Sequence, residues 1–349
     1  MCCLLRGHAV DLSRQTGIGT GKMTESATPG AEGKLVVLAI GGNSLIKDRA
    51  HKTVQDQYNA ICETMEHVAD LVLQGYRVVI THGNGPQVGF IMRRSEIARK
   101  VEGLHIVPLV SCVADTQGAL GWQIQQALDN ALRRRGVPNA VGKTVTVVTQ
   151  VEVDPNDPAF KDPSKPVGEF YEDDQLPLLK QQHPDWILKN DANRGWRRVV
   201  PSPKPKKIIE KEAISTLIAE GFNVVTVGGG GIPVVREDGD LKGVDAVIDK
   251  DFATALLATA IGAPLMIIST GVRRVSLHFG TPDETPLKTA TVAEMKRYMG
   301  EGHFAPGSMA PKVQAAIQFL ENGGREVIIT HPEALEEAVL GREGTHIIP

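Results

Sequence analysis

Short apolar runs alternate with amphipathic stretches through most of the chain. Residues 34–40, 77–81 and 223–227 are rich in valine and isoleucine, which is typical of strands buried on both faces. In the stretch after the first run, apolar residues recur at spacings of three and four and so predict one face of a helix: Val54, Tyr58, Ile61, Met65, Val68 and Val72. This alternation predicts an α/β fold in which helices cover a mostly parallel sheet.

The same alternation continues in the second half of the chain. We predict helices over residues 116–135, 208–220, 249–261, 291–299 and 308–321, and strands over 144–153, 264–269 and 325–330.

Residues 154–205 interrupt the alternation with a proline-rich stretch. Proline cannot donate to a central sheet, which excludes the stretch from the predicted core. Its aromatic residues exclude a disordered linker: Phe160, Phe170, Tyr171, Trp186 and Trp196. We predict a small inserted subdomain or lid.

Residues 1–33 contain glycine, serine and threonine without periodicity, and we predict a flexible N-terminal extension. Met23 is an alternative start, and Cys2 and Cys3 are candidates for acylation. None of the four cysteines forms a C-x-x-C pair, which favours a reducing compartment. No apolar run is long enough for a bilayer, and a net charge of −3 gives no overall attraction for nucleic acid.

Three glycine loops follow predicted strands: Gly41-Gly42-Asn43, Gly83-Asn84-Gly85 and Gly228–Gly231. Ligands of open α/β sheets bind beyond the carboxyl ends of the strands, where glycine lets backbone amides approach an anion. Ordinary tight turns are the alternative explanation. None of the loops matches the P-loop or the dinucleotide fingerprint.

Lys250 and Lys312 each lie in the first turn of a predicted helix. The helix dipole disfavours a cation there unless an anion lies opposite, so both lysines are candidate phosphate ligands. Asp251 at the same helix start either caps the helix or favours its dipole. His82, at a strand end, is either a general base or a structural donor, and Lys161 alone reads as a solvated surface residue.

Eight motifs carry a resemblance to the carbamate kinases, a group within the amino acid kinase family. They are Ala39-Ile-Gly-Gly-Asn43, Thr81-His-Gly-Asn-Gly-Pro-Gln-Val-Gly89, Thr149-Gln-Val151, Lys165-Pro-Val-Gly168, Val199-Val-Pro-Ser-Pro203, Gly228-Gly-Gly-Gly-Ile-Pro-Val234, Val247-Ile-Asp-Lys-Asp-Phe252 and Phe304-Ala-Pro-Gly-Ser-Met309. The resemblance covers residues 34–349, which we interpret as one amino acid kinase domain.

The resemblance implies a three-layer α/β/α sandwich around a mainly parallel sheet, with a small protruding subdomain over about 154–205. It also implies a cytoplasmic homodimer that uses ATP or ADP with Mg²⁺. The implied reaction is reversible: carbamoyl phosphate and ADP give ATP and carbamate, run toward ATP during arginine breakdown. No nucleic acid or membrane partner is implied.

The same resemblance assigns roles to individual residues. The catalytic set implied is Lys161, Lys250, Asp251 and Lys312. The implied phosphate and carbamate ligands are Gly41, Gly42, Asn43, Gly83 and Asn84. The implied nucleotide ligands are Gly229, Gly230, Ser269, Thr270, Gly271, Val272 and Met309, with no protein ligand for a metal.

Two positions depart from the usual pattern of the family. Asp115 stands near where a methionine is usual, and Trp122 replaces a common tyrosine. An aspartate facing the substrate would repel carbamate. Two other functions also stay open: a kinase of the same fold for another carboxylic acid, and a nucleotide-binding regulator without turnover.

Overall fold

The computed structural model describes residues 34–41, 45, 53–190 and 195–349. The extension predicted over residues 1–33, including Met23, lies outside the described residues. The candidate ligands Gly42 and Asn43 lie outside them as well.

The described residues form nine helices and seventeen strands. The helices are α1 (Val54–Leu73), α2 (Gly85–Glu102), α3 (Leu109–Arg134), α4 (Leu176–Gln182), α5 (Lys211–Ala219), α6 (Lys250–Ala260), α7 (Val292–Gly300), α8 (Met309–Glu321) and α9 (Leu335–Val339). The strands are β1 (Leu35–Ile40), β2 (Arg77–His82), β3 (Thr144–Thr146), β4 (Gln150–Val153), β5 (Lys165–Tyr171), β6 (Ile187–Asn190), β7 (Trp196–Val200), β8 (Pro205–Ile208), β9 (Asn223–Val225), β10 (Ile232–Glu237), β11 (Asp240–Gly243), β12 (Leu265–Ser269), β13 (Ser276–Leu277), β14 (Thr285–Pro286), β15 (Thr289–Thr291), β16 (Glu326–Thr330) and β17 (Thr345–Ile348).

Eight strands form the central sheet, in the order β15-β17-β16-β12-β1-β2-β9-β3. Its neighbours pair in parallel, except that β16 and β17 are antiparallel. In β1, Val37 belongs to the hydrophobic cluster of one sheet face, and Val36 and Leu38 belong to the cluster of the other. Helices α6 and α8 bury apolar residues on the first face, and α1 and α3 on the second. The predicted α/β/α sandwich with a mainly parallel sheet is confirmed.

The segment predicted as one strand over 144–153 is two strands in two sheets. β3 lies at the edge of the central sheet, whereas β4 lies in a four-stranded sheet of order β11-β10-β4-β8. The hydroxyl and backbone of Thr149 bond to Val147, Thr226 and Gln117 between the two strands. These bonds turn the chain from one sheet to the other, so local β-propensity alone did not reveal the break.

Two further boundaries differ from the sequence pattern. Helix α3 begins at Leu109 rather than at residue 116, because its first turns already bury Cys112 and Val113. The hairpin of β10 and β11 was missed, although Asp238 and Gly239 form its turn with φ of 49° and 95°. An Asp-Gly pair with positive φ is a strong hairpin signal.

The proline-rich stretch contains a separate antiparallel sheet of order β5-β7-β6. This sheet contacts α2 closely, because a Cβ added at Gly89 would lie 2.2 Å from Cα of Gly168 in β5. Only a glycine at position 89 permits this approach of two backbones. Among the described helices, none combines the length and hydrophobicity needed to span a membrane.

Candidate active site

Four neighbouring parallel strands, β12, β1, β2 and β9, end at the same edge of the central sheet. The segments that follow them begin with Thr270, Gly41, Gly83 and Thr226, respectively. The carboxyl ends of parallel strands are where open α/β sheets bind ligands. The predicted glycine loops therefore converge at one edge, although Gly42 and Asn43 lie outside the described residues.

Helix α6 begins at this edge and presents Lys250 and Asp251. Its N-cap is Asp249, whose Oδ1 accepts the backbone N–H of Asp251 at 2.9 Å. The capping role considered for Asp251 thus belongs to Asp249. The side chain of Asp251 is free to face the site instead.

Asp251 joins two lysines that come from different helices. Its Oδ1 accepts from Nζ of Lys250 at 2.5 Å, and its Oδ2 accepts from Nζ of Lys312 at 2.9 Å. All three side chains are nearly buried, with exposures of 13% for Lys250, 15% for Lys312 and 4% for Asp251. Two cations and one anion leave this cluster with a net positive charge in a place where water screens it poorly.

The pKa shifts in this cluster follow from burial and charge. Burial lowers the pKa of Lys250, and the neighbouring charge of Lys312 lowers it further, while Asp251 opposes both effects. Burial on its own would raise the pKa of Asp251, but Lys250 and Lys312 outweigh it and hold that pKa well below its usual range. Asp251 is therefore a permanent anion that limits the repulsion between the two lysines.

Two cavities meet at this cluster. The larger, of about 760 Å³, is lined by Gly41, Lys250, Thr270, Gly271, Val272, Arg274, Ser276, Phe279, Gly302, His303, Phe304, Ala305, Gly307, Ser308, Met309 and Lys312. The smaller, of about 220 Å³, is lined by Leu45, Gly83, Asn84, Gly85, Pro86, Val88, Lys165, Pro166, Val167, Gly229, Val247, Ile248, Asp249, Lys250, Asp251, Gly307, Ser308, Pro311 and Lys312. Lys250, Gly307, Ser308 and Lys312 line both.

The lysine that the inserted segment contributes to the small cavity is Lys165. Its Nζ lies 2.5 Å from Oδ2 of Asp249. Lys161, which the resemblance placed in the catalytic set, is exposed after the 3₁₀ turn Pro158–Phe160 and is not among the residues lining either cavity. The structure thus brings Lys165 to Lys250 and Lys312 and leaves Lys161 outside. Strand β5 begins at Lys165, and pairing of β5 with β7 fixes its position.

The four-glycine run makes room for the side chains of neighbouring residues, and it does not line the large cavity. Gly229 has a φ of 66°, and a Cβ there would lie 2.0 Å from Nδ2 of Asn84. Gly229 lines the small cavity, while Gly230 lines neither of the two. The adenosine contacts implied for Gly229 and Gly230 stay predictions, since neither residue lines the large cavity. Glycine is needed here because Asn84 occupies the space of a side chain.

The remaining implied ligands divide between the cavities. Thr270, Gly271, Val272 and Met309 line the large cavity, together with Gly41. Gly83 and Asn84 line the small one.

Two serines near the cavities differ in their exposure: Ser269 is buried, and Ser308 is exposed. Ser269 is fully buried in β12, lines neither cavity and has no hydrogen-bond partner for its hydroxyl among the described residues. Ser308 is the N-cap of α8, but its side chain makes no capping bond. It lines both cavities instead, so its hydroxyl is available to a ligand, a role that the sequence pattern did not reveal.

His82 is buried and directly precedes Gly83, which lines the small cavity. Its Nδ1–H donates to the carbonyl of Gly83 at 3.0 Å, and a Cβ at Gly228 would lie 2.3 Å from its Nε2. Burial lowers the pKa of His82 to about 4, and the charge of Lys250 contributes to the shift. The ring is therefore neutral near pH 7 and has the geometry of a structural donor for the Gly83 turn.

The two unusual residues of α3 lie away from the cavities. Asp115 is exposed, and Trp122 is 56% exposed. The same helix directs Thr116 inward, where its hydroxyl accepts from Nδ2 of Asn84 at 2.8 Å. Asp115, one position earlier, is exposed and does not line the small cavity.

Comparisons with known proteins identify the family of the chain. Residues 34–331 match the model of the amino acid kinase family. The chain is 55% identical over 316 residues to the carbamate kinase-like protein YahI of Escherichia coli, covering 90% of this chain and 99% of that protein. It is 45% identical over 317 residues to the carbamate kinase of Pyrococcus furiosus, covering 91% and 100%.

A solved structure gives the same result. The carbamate kinase from Giardia lamblia bound to AMP-PNP superposes with a TM-score of 0.82 at 41% identity. The match covers 91% of this chain and 99% of the Giardia chain.

Proposed function

This chain belongs to the amino acid kinase family and is a phosphotransferase, and we propose that its reaction is that of a carbamate kinase. It transfers a phosphoryl group reversibly between carbamoyl phosphate and ADP, giving ATP and carbamate. Similarity to carbamate kinases over nine tenths of the chain supports this reaction.

The observation that carries the proposal is the wall shared by the two cavities. The large cavity has the volume of a typical small-molecule site and takes the nucleotide, as the AMP-PNP complex of the Giardia relative suggests. The small cavity suits a ligand of only a few heavy atoms, such as carbamoyl phosphate. Lys250 and Lys312 line both, so a phosphoryl group that moves from one ligand to the other passes between them.

The chemistry needs charge neutralisation more than proton transfer. The bond from phosphorus to the carbamate oxygen breaks, and a bond to a terminal oxygen of ADP forms. Both reactants are anions, so no general base is required, and catalysis consists of positioning and electrostatic stabilisation. Lys250 and Lys312 supply that stabilisation from a buried, preorganised position, and Asp251 holds both in place.

We assign the third cationic role to Lys165, in place of Lys161. Lys165 is the lysine of the inserted segment that lines the small cavity. Its side chain is 32% exposed, and it lies at the start of strand β5. From there it would contact the phosphate of carbamoyl phosphate.

The implied Mg²⁺ is held by the nucleotide in this proposal. Among the described residues no cluster of three or more His, Cys, Asp or Glu side chains is present. The carboxylates lining the small cavity, Asp249 and Asp251, already accept from lysines. These residues fit a Mg²⁺ that takes its ligands from phosphate oxygens and water, which is its usual mode in kinases. When bound, the ion would neutralise phosphate charge.

The proposal includes a homodimer in the cytoplasm that regenerates ATP during arginine breakdown. Exposed apolar side chains on α2, on its connection to α3 and on α3 support self-association: Ile97, Val101, Leu104, Ile106 and Trp122. Exposed apolar side chains are candidates for a protein interface. Light scattering on the purified protein tests this part, and a monomer at micromolar concentration would contradict it.

A kinase for another carboxylic acid is the nearest alternative, and two of the relatives are named only carbamate kinase-like. A regulator without turnover is the second alternative. The intact pairing of Asp251 with Lys250 and Lys312 argues against the regulator, since it shows no decay of the candidate active site.

The decisive experiment mixes the protein with carbamoyl phosphate, ADP and Mg²⁺ and follows ATP in a coupled assay. We expect rapid ATP formation that the Lys250→Ala variant loses. A folded protein that binds ADP but forms no ATP would contradict the proposal, and acetyl phosphate and other acyl phosphates would then be the substrates to try.

A further inference from the structure

Asp249 makes two different contacts with its two carboxylate oxygens. Oδ1 accepts the backbone N–H of Asp251 at 2.9 Å and so caps helix α6. Oδ2 accepts from Nζ of Lys165 at 2.5 Å. One carboxylate thus ties the inserted segment to the helix that presents the buried lysine pair.

The charges around the small cavity show what this contact does. Three lysines and two aspartates line it: Lys165, Lys250, Lys312, Asp249 and Asp251. Asp251 is engaged by two lysines at once, so its charge is already shared. Asp249 is the counter-ion of Lys165, so an anion that enters the small cavity would compete with Asp249 for the amine of Lys165.

The Lys165 pair is also the more accessible one. The side chains of Lys165 and Asp249 are 32% and 16% exposed, compared with 13% and 4% for Lys250 and Asp251. A partly exposed ion pair contributes little net stability, because water solvates the separated charges. A phosphate oxygen can therefore replace Asp249 as the partner of Lys165 at small cost, whereas the buried pairs stay together.

We propose that Asp249 is a positioning residue that holds Lys165 at the small cavity as its resting counter-ion and gives it up to the phosphate of the substrate. The inference rests on the proposed function for the identity of that substrate. It adds that anion binding competes with the contact between Lys165 and Asp249. The affinity for phosphate is then set in part by the charge of Asp249.

Asn and Ala at position 249 separate the two contacts of Asp249. Asn is as good an N-cap as Asp, so Asp249→Asn keeps the cap of α6 and removes the charge from Lys165. Asp249→Ala removes both. Thr291→Ala is the matched control, because Thr291 caps α7 through the N–H of Glu294 and lies outside both cavities.

Inorganic phosphate is the probe, and its dissociation constant is measured by calorimetry without nucleotide. The proteins are the wild type, Asp249→Asn, Lys165→Met and the double variant. We expect Asp249→Asn to tighten phosphate binding by about two- to fivefold when Lys165 is present, the range of an exposed ion pair. In the Lys165→Met background, Asp249→Asn should change the dissociation constant for phosphate by a smaller factor, because no freed amine remains.

Equal changes in both backgrounds would overturn the inference, since Asp249 would then act only as a distant negative charge. No change in either background would overturn it as well. Thermal melting separates the capping role: Asp249→Ala should lose stability as Thr291→Ala does, and Asp249→Asn should not. If Asp249→Asn instead melts like Asp249→Ala, the assignment of the two contacts is wrong.

The phosphate-binding test and the ATP-formation assay of the proposed function can fail separately. Phosphate binding needs no turnover, so an absence of ATP formation would reject the carbamate kinase reaction and leave this test intact. If the enzyme forms ATP but Asp249→Asn and Lys165→Met have additive effects on phosphate affinity, only the role of Asp249 is rejected.

Discussion

Nζ of Lys312 donates to Oδ2 of Asp251 at 2.9 Å, although 61 positions separate the two residues in the chain. The contact exists because α6 and α8 pack on the same face of the central sheet. Lys250 reaches the other oxygen of the same carboxylate. One buried anion therefore holds two cations from two helices at the place where the cavities meet.

Removing that anion should destabilise the protein. In Asp251→Asn, two nearly buried lysines would face each other without a counter-ion, and breaking a buried pair typically costs about 3–5 kcal/mol. Urea unfolding measures the loss. Glu212→Gln is the control, because its pair with Lys211 is on the surface and should change stability by less than about 0.5 kcal/mol. Losses of similar size in the two variants would contradict the central role of Asp251.

Lys250→Ala should slow ATP formation by roughly two to three orders of magnitude. Loss of one preorganised donor at a developing charge commonly costs about 2.7–4 kcal/mol of transition-state stabilisation. The coupled assay under saturating substrates measures the rate, with Lys211→Ala as a surface-lysine control. A Lys250→Ala enzyme that keeps more than about a third of the wild-type rate would exclude the proposed role.

Lys165 and Lys161 can be compared directly, since they lie four positions apart and differ in placement. Lys165→Ala removes a charge from the wall of the small cavity and should raise the KM for carbamoyl phosphate and lower the rate by at least about tenfold. Lys161→Ala changes an exposed side chain and should leave both within about twofold. The reverse ranking would restore the role that the family resemblance implied for Lys161.

His82 should make stability depend on pH in a defined window. Its pKa is lowered from 6.5 to about 4 in the folded protein, so below pH 6.5 the unfolded chain binds a proton that the folded protein does not. Stability is therefore full above pH 6.5 and falls as the pH drops toward 4, by up to about 3 kcal/mol.

Denaturant unfolding at several pH values tests this window. The His82→Asn variant should show a shallower slope between pH 4 and 6.5 than the wild type, whatever its absolute stability. Parallel slopes in the two proteins would show that other groups cause the dependence.

Gly89→Ala should disturb the contact of α2 with the inserted segment. The added Cβ would lie 2.2 Å from Cα of Gly168, so one backbone must move. Because β5 also carries Lys165, we expect a lower melting temperature together with a higher KM for carbamoyl phosphate.

Gly118→Ala is the matched control for this variant. Gly118 lies within α3 and has no neighbour within 4 Å of an added Cβ, so alanine there should stabilise the helix by about 0.5–1 kcal/mol. Equal behaviour of the two variants would mean that the segment is not held through Gly89.

The sequence by itself determined the fold class and most of its elements. Runs such as those of β1 and β2 are apolar throughout because both faces of the central sheet are covered, and α1 repeats its apolar residues with the helical period. Lys250 and Lys312 were also visible, because cations at helix starts conflict with the helix dipole. These signals involve residues that are close together in the chain, so the amino-acid sequence alone suffices to detect them.

The tertiary structure alone decided how those residues combine. That Asp249 caps α6 while Asp251 bridges two lysines depends on side-chain directions that adjacent acidic residues do not reveal. The choice of Lys165 over Lys161 depends on where β5 begins. In the four-glycine run, Gly229 leaves room for the side chain of Asn84 and also lines the small cavity. The contacts of Asp251 with Lys312, of Asp249 with Lys165 and of Gly229 with Asn84 join segments that are distant in sequence, and only the packing of the helices and sheets brings such segments together.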